Sequence, residues 1–308
     1  MKKKRREPRD KKRAGLGKLL GLIMAAFVAM ASFIQFGLKK DLYGFTYYYA
    51  HGFVSSFGKR ERNLIEKTDL PVVSQAMEEI ASDSRVTVSH AMWLVNAGYP
   101  ISEEAVSSVE LFESENGWLV SSAAYEKLDE LFAACREETG SDPIVTSAYR
   151  TFEEQEALYA STPDVAVEAG TSEHQCGLAV DIKTEGYASR RFILSDCGKW
   201  MEKNAARFGF IIRYPYWGRK TTMVTYEPWH LRYVGVPHAE IITRSHITLE
   251  EYYDLFELGT YYAYGDYRIS RQIPDDGVLF LPDGDWKITV SPDNRGGFFI
   301  WAEPDQSK

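Results

Sequence analysis

The sequence predicts an α+β fold: a small antiparallel sheet flanked by helices, with an N-terminal transmembrane helix and a small C-terminal β extension. Three observations carry this. Short apolar runs interleave with helical patterns without repeated βαβ spacing. An uncharged run fills 19–38, and turn signals crowd residues after 260. The 308 residues hold 36 Lys/Arg and 44 Asp/Glu, a net charge of −8. Ten of the basic residues lie in 1–18 beside only Glu7 and Asp10, so this head is +8 and the remainder −16. So acidic a body repels phosphate backbones and argues against a nucleic-acid partner.

From Leu19 to Leu38 only Ser32 and Gln35 are polar. Twenty helical residues reach about 30 Å, the hydrocarbon thickness of a bilayer. The basic flank puts the N-terminus in the cytoplasm and the body outside, on a single-pass anchor. Ala29-Met30-Ala31 also fits a signal-peptide cleavage site. The run continues past that site to Leu38, longer than a signal core, which favours an uncleaved anchor.

Residues 39–90 read as stalk and linker: aromatics (Tyr43, Phe45, Tyr47, Tyr48, Tyr49, Phe53, Phe57) at the membrane exit, then a polar 71–90. Residues 91–258 form the main domain. Met92–Asn96 is a short strand or an extended docking segment before the Gly98-Tyr99-Pro100 turn. Ser121/Ser122 cap a helix through Glu138, and Ile144–Tyr149 is β-like. Thr151 with Glu154 makes a capping box for the next helix. Leu178–Lys183 alternates as a strand, Ser195–Arg207 is a helix stopped at Gly209, and Phe210–Tyr214 and Trp229–Val234 are strands. Leu249–Glu257 is a last helix. Residues 259–308 carry turns at Asp275-Asp276-Gly277, Pro282-Asp283-Gly284 and Asn294–Gly297 between apolar stretches, a β-hairpin extension.

The chemistry concentrates in three places. In Ser172–Asp181 the strand period puts Leu178, Val180 and Ile182 on one face and Asp181 on the other. Gly177 permits a turn that folds His174 back toward that carboxylate. In Glu227-Pro228-Trp229-His230-Leu231-Arg232, His230 supplies a third donor and Glu227 a free carboxylate just before the strand. Three protein ligands with an open corner is the catalytic zinc pattern; Glu227 would then handle the proton during attack of water on a carbonyl. In Ser147-Ala148-Tyr149-Arg150 a guanidinium could offset an oxyanion or bind a substrate carboxylate. Arg232 either pairs with a carboxylate beneath the site or contacts substrate. Arg213 reads as a solvated strand-end charge. His51, His90, His238 and His246 read as surface or packing residues. Of three cysteines, Cys135 and Cys197 could bridge, and Cys176 at its turn points away from the ligands.

These strings, S-x-H-x-x-G-x-A-x-D (Ser172–Asp181), E-x-W-H-x-R (Glu227–Arg232) and S-A-Y-R (Ser147–Arg150), resemble those of the VanY-type D-alanyl-D-alanine carboxypeptidases, within the zinc D,D-peptidase family that includes the VanX dipeptidases. The resemblance covers roughly 90–258. It implies a D,D-peptidase/hedgehog-like fold, zinc ligands His174, Asp181 and His230, general base Glu227 and transition-state stabiliser Arg150. Ser172, Tyr149 and Ser147 would line the substrate pocket. The implied reaction removes the terminal D-Ala from peptidoglycan stem peptides outside the cell. An L,D-carboxypeptidase trimming tetrapeptide stems, and a non-catalytic wall-binding module on the same scaffold, are the alternatives. Cys176 departs from the small or hydroxylated residue expected there.

Overall fold

The structure, a computed structural model, describes residues 41–306 apart from residue 115. The basic head of 1–18 and the apolar run of 19–38 lie outside the described residues. Among the described ones no helix is long and apolar enough to cross a membrane.

The principal elements begin with helix α1 (Asp41–Ser55) and strands β1 (Glu66–Lys67), β2 (Val72–Ala76), β3 (Val86–Val88), β4 (Leu111–Glu113) and β5 (Leu119–Ser121). Then follow α2 (Ser122–Thr139), β6 (Ile144–Ser147), α3 (Phe152–Ser161), β7 (Ala179–Lys183), α4 (Asp196–Asn204), β8 (Phe210–Tyr214) and β9 (Glu227–Tyr233). Helices α5 (Val236–Ser245) and α6 (Leu249–Tyr253) lead to strands β10 (Tyr261–Tyr264), β11 (Tyr267–Gln272), β12 (Val278–Pro282), β13 (Trp286–Pro292) and β14 (Phe298–Pro304).

Helix α2 starts where the Ser121 side chain accepts the Ala123 N–H, and stops at Gly140 in the left-handed region (φ 68). Its buried stripe of Ala124, Leu128, Leu131, Phe132 and Cys135 recurs every three or four residues. The Thr151/Glu154 capping box is present at α3, as the sequence predicts; a cap of this kind is worth about 1 kcal/mol. The antiparallel sheet β6-β7-β9-β8 lays Val180, Ile182 and Leu231 onto α2 and α4. Each such side chain contributes roughly 1.5–3 kcal/mol on burial. Its other face carries the polar residues.

Residues 71–90 are not a linker. Strands β1 and β3 join β10, β11, β13 and β14 in a six-stranded sheet, ordered β1-β10-β11-β14-β13-β3, and β2 pairs with β12. Val73 faces Leu281 across that pair, and Val88 faces Val290 in parallel. A strand of two to five residues is too short to show a period of its own, and its partners lie some two hundred residues away. The C-terminal hairpins are thus part of a sheet with its own core of Ile80, Leu279, Leu281, Ile288, Val290 and Ile300.

Two further differences are local. Helix α5, with Pro237 in its first turn, has no counterpart in the sequence reading, and α6 ends at Tyr253 rather than Glu257. The segment 91–95 is a buried docking strip: Met92, Leu94 and Val95 are almost wholly enclosed. The Asn294 amide fastens its far end by donating to the Leu94, Tyr99 and Pro100 carbonyls.

Candidate active site

Asp181 and His230 meet because β7 and β9 pair in a register that sets them directly opposite, where cross-strand side chains stand about 5 Å apart. His230 Nδ1 lies 3.0 Å from Asp181 Oδ1. His174 comes from a 3₁₀ turn, Glu173–Cys176, closed by Gly177 at φ 65. A Cβ on Gly177 would meet Leu111 Cδ2 at 2.7 Å and the Ser121 nitrogen at 2.9 Å, so only glycine lets this turn press against β4 and β5. The His174 Nδ1–H donates to the Ala148 carbonyl at 2.7 Å, leaving Nε2 to face Asp181 Oδ2 at 3.4 Å. One donor atom from each of His174, Asp181 and His230 falls within 4.8 Å of the others, and the three could hold a metal ion. Asp181 Oδ1 is buried without a hydrogen-bond partner, an orphan that a cation would satisfy. Two imidazoles and a carboxylate make a zinc-type donor set.

Glu227 is the first residue of β9 rather than a residue before it. The register between β8 and β9 shifts at Ile212/Tyr214, where Pro228 has no N–H to offer the ladder. Its Oε2 stands 3.9 Å from His230 Nδ1. Burial, reinforced by the Asp181 charge and opposed by His230 and Arg150, pushes its carboxyl up to about 7. Burial would lower His230, but the Asp181 and Glu173 carboxylates outweigh it and push the ring up to about 9. Protons and a dication compete for these donors, so metal binding expels a proton.

Arg150 gives its backbone N–H to the His174 carbonyl at 3.3 Å, and its Nη1 to Gln155 Oε1 at 2.7 Å. Gln155 is itself anchored to the Val167 carbonyl, so α3 aims the guanidinium, which feels the charges of Asp181 and Glu227. Ser147 sits opposite Asp181 across β6 and β7. Ser172 is buried at the start of the 3₁₀ turn, and Tyr149 packs among Trp93, Ile101 and Phe152. Cys176 turns away, its thiol donating to the Glu173 carbonyl.

Beneath the cluster lies a charge network that the sequence reading only half contains. Arg232 is fully buried and places Nη1 2.8 Å from Glu173 Oε1, settling its two open roles in favour of a carboxylate below the site. Arg213 is not a solvated strand-end charge. It is 1% exposed, donates to Glu173 Oε1 at 2.6 Å, and binds both Glu250 oxygens. Burial would raise the Glu173 carboxyl, but Arg213 and Arg232 hold it well below the usual carboxylate range. The available signal for Arg213 was the strand period, which puts it on the face of buried Ile211; Glu173 and Glu250 gave none. Tyr214, also unforeseen, lays its ring 4.9 Å from that of His230.

The family model of the VanY D-alanyl-D-alanine carboxypeptidases matches residues 118–236, which enclose every one of the candidate site residues. A bifunctional D-Ala-D-Ala dipeptidase and carboxypeptidase, VanXYC of Enterococcus gallinarum, is 37% identical over 130 residues, 37% of this chain and 67% of that protein. The chain belongs to the VanY family. A D-alanyl-D-alanine carboxypeptidase of Enterococcus faecium is 38% identical over 174 residues; the match takes in 52% of this chain but only 56% of that relative, little more than half its length. The solved D,D-dipeptidase VanXYg is 23% identical, with a TM-score of 0.63 over 77% of this chain and 100% of that one, and shows the same mixed α+β fold.

Proposed function

We propose that this VanY-family chain is a zinc-dependent D-alanyl-D-alanine carboxypeptidase that removes the terminal D-Ala from peptidoglycan stem peptides. The observation that carries it is the placement of Glu227, a carboxylate poised 3.9 Å from one member of a three-donor cluster. His174, Asp181 and His230 would hold the ion. When bound, zinc supplies Lewis-acid polarisation of a carbonyl and acidifies water. Glu227 Oε2 takes the proton from the attacking water and returns it to the leaving amine. The Arg150 guanidinium, fixed by Gln155, offsets negative charge growing on the carbonyl oxygen. Ser147, Tyr149 and Ser172 border the same face as substrate-pocket residues.

The test is D-Ala release from pentapeptide stems by the purified full chain, beside tetrapeptide stems as the L,D-carboxypeptidase comparison. Release from pentapeptide should vanish on chelation and return with Zn²⁺. Hydrolysis confined to tetrapeptide would give the L,D reading, and zinc binding without any hydrolysis would leave a wall-binding module.

The site's exposure outside the cell, on a single-pass anchor with the N-terminus in the cytoplasm, belongs to the same proposal. It is supported by the basic-then-apolar sequence of 1–38 and by α1. That helix docks through Tyr48, whose hydroxyl donates to the Tyr226 carbonyl next to Glu227, and leaves Phe45 and Phe53 exposed, as is Phe57 in the turn that follows it. Aromatic side chains at a membrane exit favour the headgroup region. An oxidising exterior also predicts a thiol count. Cys135 Sγ and Cys197 Sγ lie 3.1 Å apart and unbonded, so protein recovered from the cell surface, denatured without reductant, should titrate as one free thiol; three would argue for a reducing compartment.

A further inference from the structure

His230 presents its two ring nitrogens to two different carboxylates. Nδ1 faces Asp181 on the cluster side. Nε2 points inward and lies 3.7 Å from Glu173 Oε2. Both inward atoms are buried without a hydrogen-bond partner. Buried polar atoms are seldom left unpaired, so two orphans that face each other mark a bond needing only a small closure. Glu173 cannot swing elsewhere. Its Oε1 is gripped by Arg213 Nε at 2.6 Å and Arg232 Nη1 at 2.8 Å, and its side chain is wholly enclosed. Arg213 is in turn pinned by Glu250 at 2.6 Å.

We propose that Glu173 is a positioning residue: its Oε2 accepts the Nε2–H of His230 and so fixes the tautomer whose Nδ1 lone pair faces Asp181 and His174. The inference rests on the metal-centre reading above. His174 is held in the opposite tautomer, because its Nδ1–H must donate to the Ala148 carbonyl. Two rings thus offer opposite edges to one point, each with its far nitrogen anchored. Ligating imidazoles are commonly oriented in this way, by a carboxylate or a backbone carbonyl. The two guanidiniums keep the Glu173 oxygen charged and still without drawing it into the donor set.

The experiment uses the full chain with ¹⁵N-labelled histidine, titrated with Zn²⁺ and followed by long-range ¹H–¹⁵N correlation, which distinguishes the tautomers. Of the six histidines, two should respond to zinc, one protonated at Nδ1 and one at Nε2. Two zinc-responsive rings of the same tautomer overturn the role of Glu173 and leave the metal centre standing. No zinc-responsive ring removes both. In Glu173→Gln the guanidiniums claim the single amide oxygen and turn the NH₂ toward His230. That variant should bind zinc about 10–100-fold more weakly in chelator competition. Glu250→Gln unbalances Arg213 but leaves the oxygen opposite His230 in place, so it should weaken zinc far less. A folded Glu173→Gln with native zinc affinity overturns the proposal; should that variant fail to fold, the tautomer count on the native chain decides.

Discussion

Glu227→Ala should slow D-Ala release about 10²–10⁴-fold, the usual worth of a positioned general base, while zinc still binds. The separation follows from geometry. Glu227 stands 3.9 Å from His230 Nδ1 and lies outside the three-donor group. Removing it takes away the proton acceptor and leaves the donors. Its environment is tuned for the task, since burial raises its carboxyl to about 7, and a base poised near working pH accepts a proton in attack and surrenders it to the leaving amine. The base must be ionised, so kcat/KM should fall as pH falls. A dication in the cluster stabilises the carboxylate, which puts the midpoint of that acid limb below 7. Metal analysis with a stem-peptide assay checks both halves. Full activity in the variant would remove Glu227 from the chemistry, and loss of zinc would make it a ligand.

Much of this site was legible because short-range rules carry it. Asp181 had to face away from Val180 and Ile182, Gly177 had to turn the chain, and Thr151 with Glu154 had to start a helix beside Arg150. Such rules act over a few residues. The ionic floor of the site obeys none of them: Glu173 and Arg213 are forty positions apart, and Arg213 and Glu250 thirty-seven. A buried charge looks like a surface charge until its partner is known. The same holds for β1, β2 and β3, which are only two to five residues long and whose stability is borrowed from β10, β12 and β13. Helix α5 has no counterpart in the sequence pattern set out above, although Pro237 in its first turn is a residue that suits a helix start.

Arg232→Met should destabilise the fold by about 3–5 kcal/mol, the cost of stripping one partner from a buried ion pair, or roughly 6–20 °C in Tm for a domain of this size. Its guanidinium does two jobs at once. Nη1 neutralises Glu173, which is wholly enclosed, and Nη2 donates to the Ala91 and Trp93 carbonyls at 2.8 and 2.7 Å. Methionine fills similar space but leaves Glu173 with Arg213 alone and orphans two carbonyls. By contrast Arg136→Met, which breaks an exposed pair with Asp142, should cost under about 1 kcal/mol. A thermal melt of the two variants side by side checks the contrast, and equal melting temperatures would mean the network beneath the site does little. The strip from Ala91 to Trp93 that Arg232 holds runs on to Leu94 and Tyr99, whose carbonyls accept the Asn294 amide in the turn between β13 and β14. The C-terminal sheet therefore braces the strip, the strip fixes Arg232, and Arg232 fixes the carboxylate that backs His230. Damage to the tail should reach the metal centre by this route, as a loss of zinc affinity accompanying the loss of Tm, without any tail residue touching substrate.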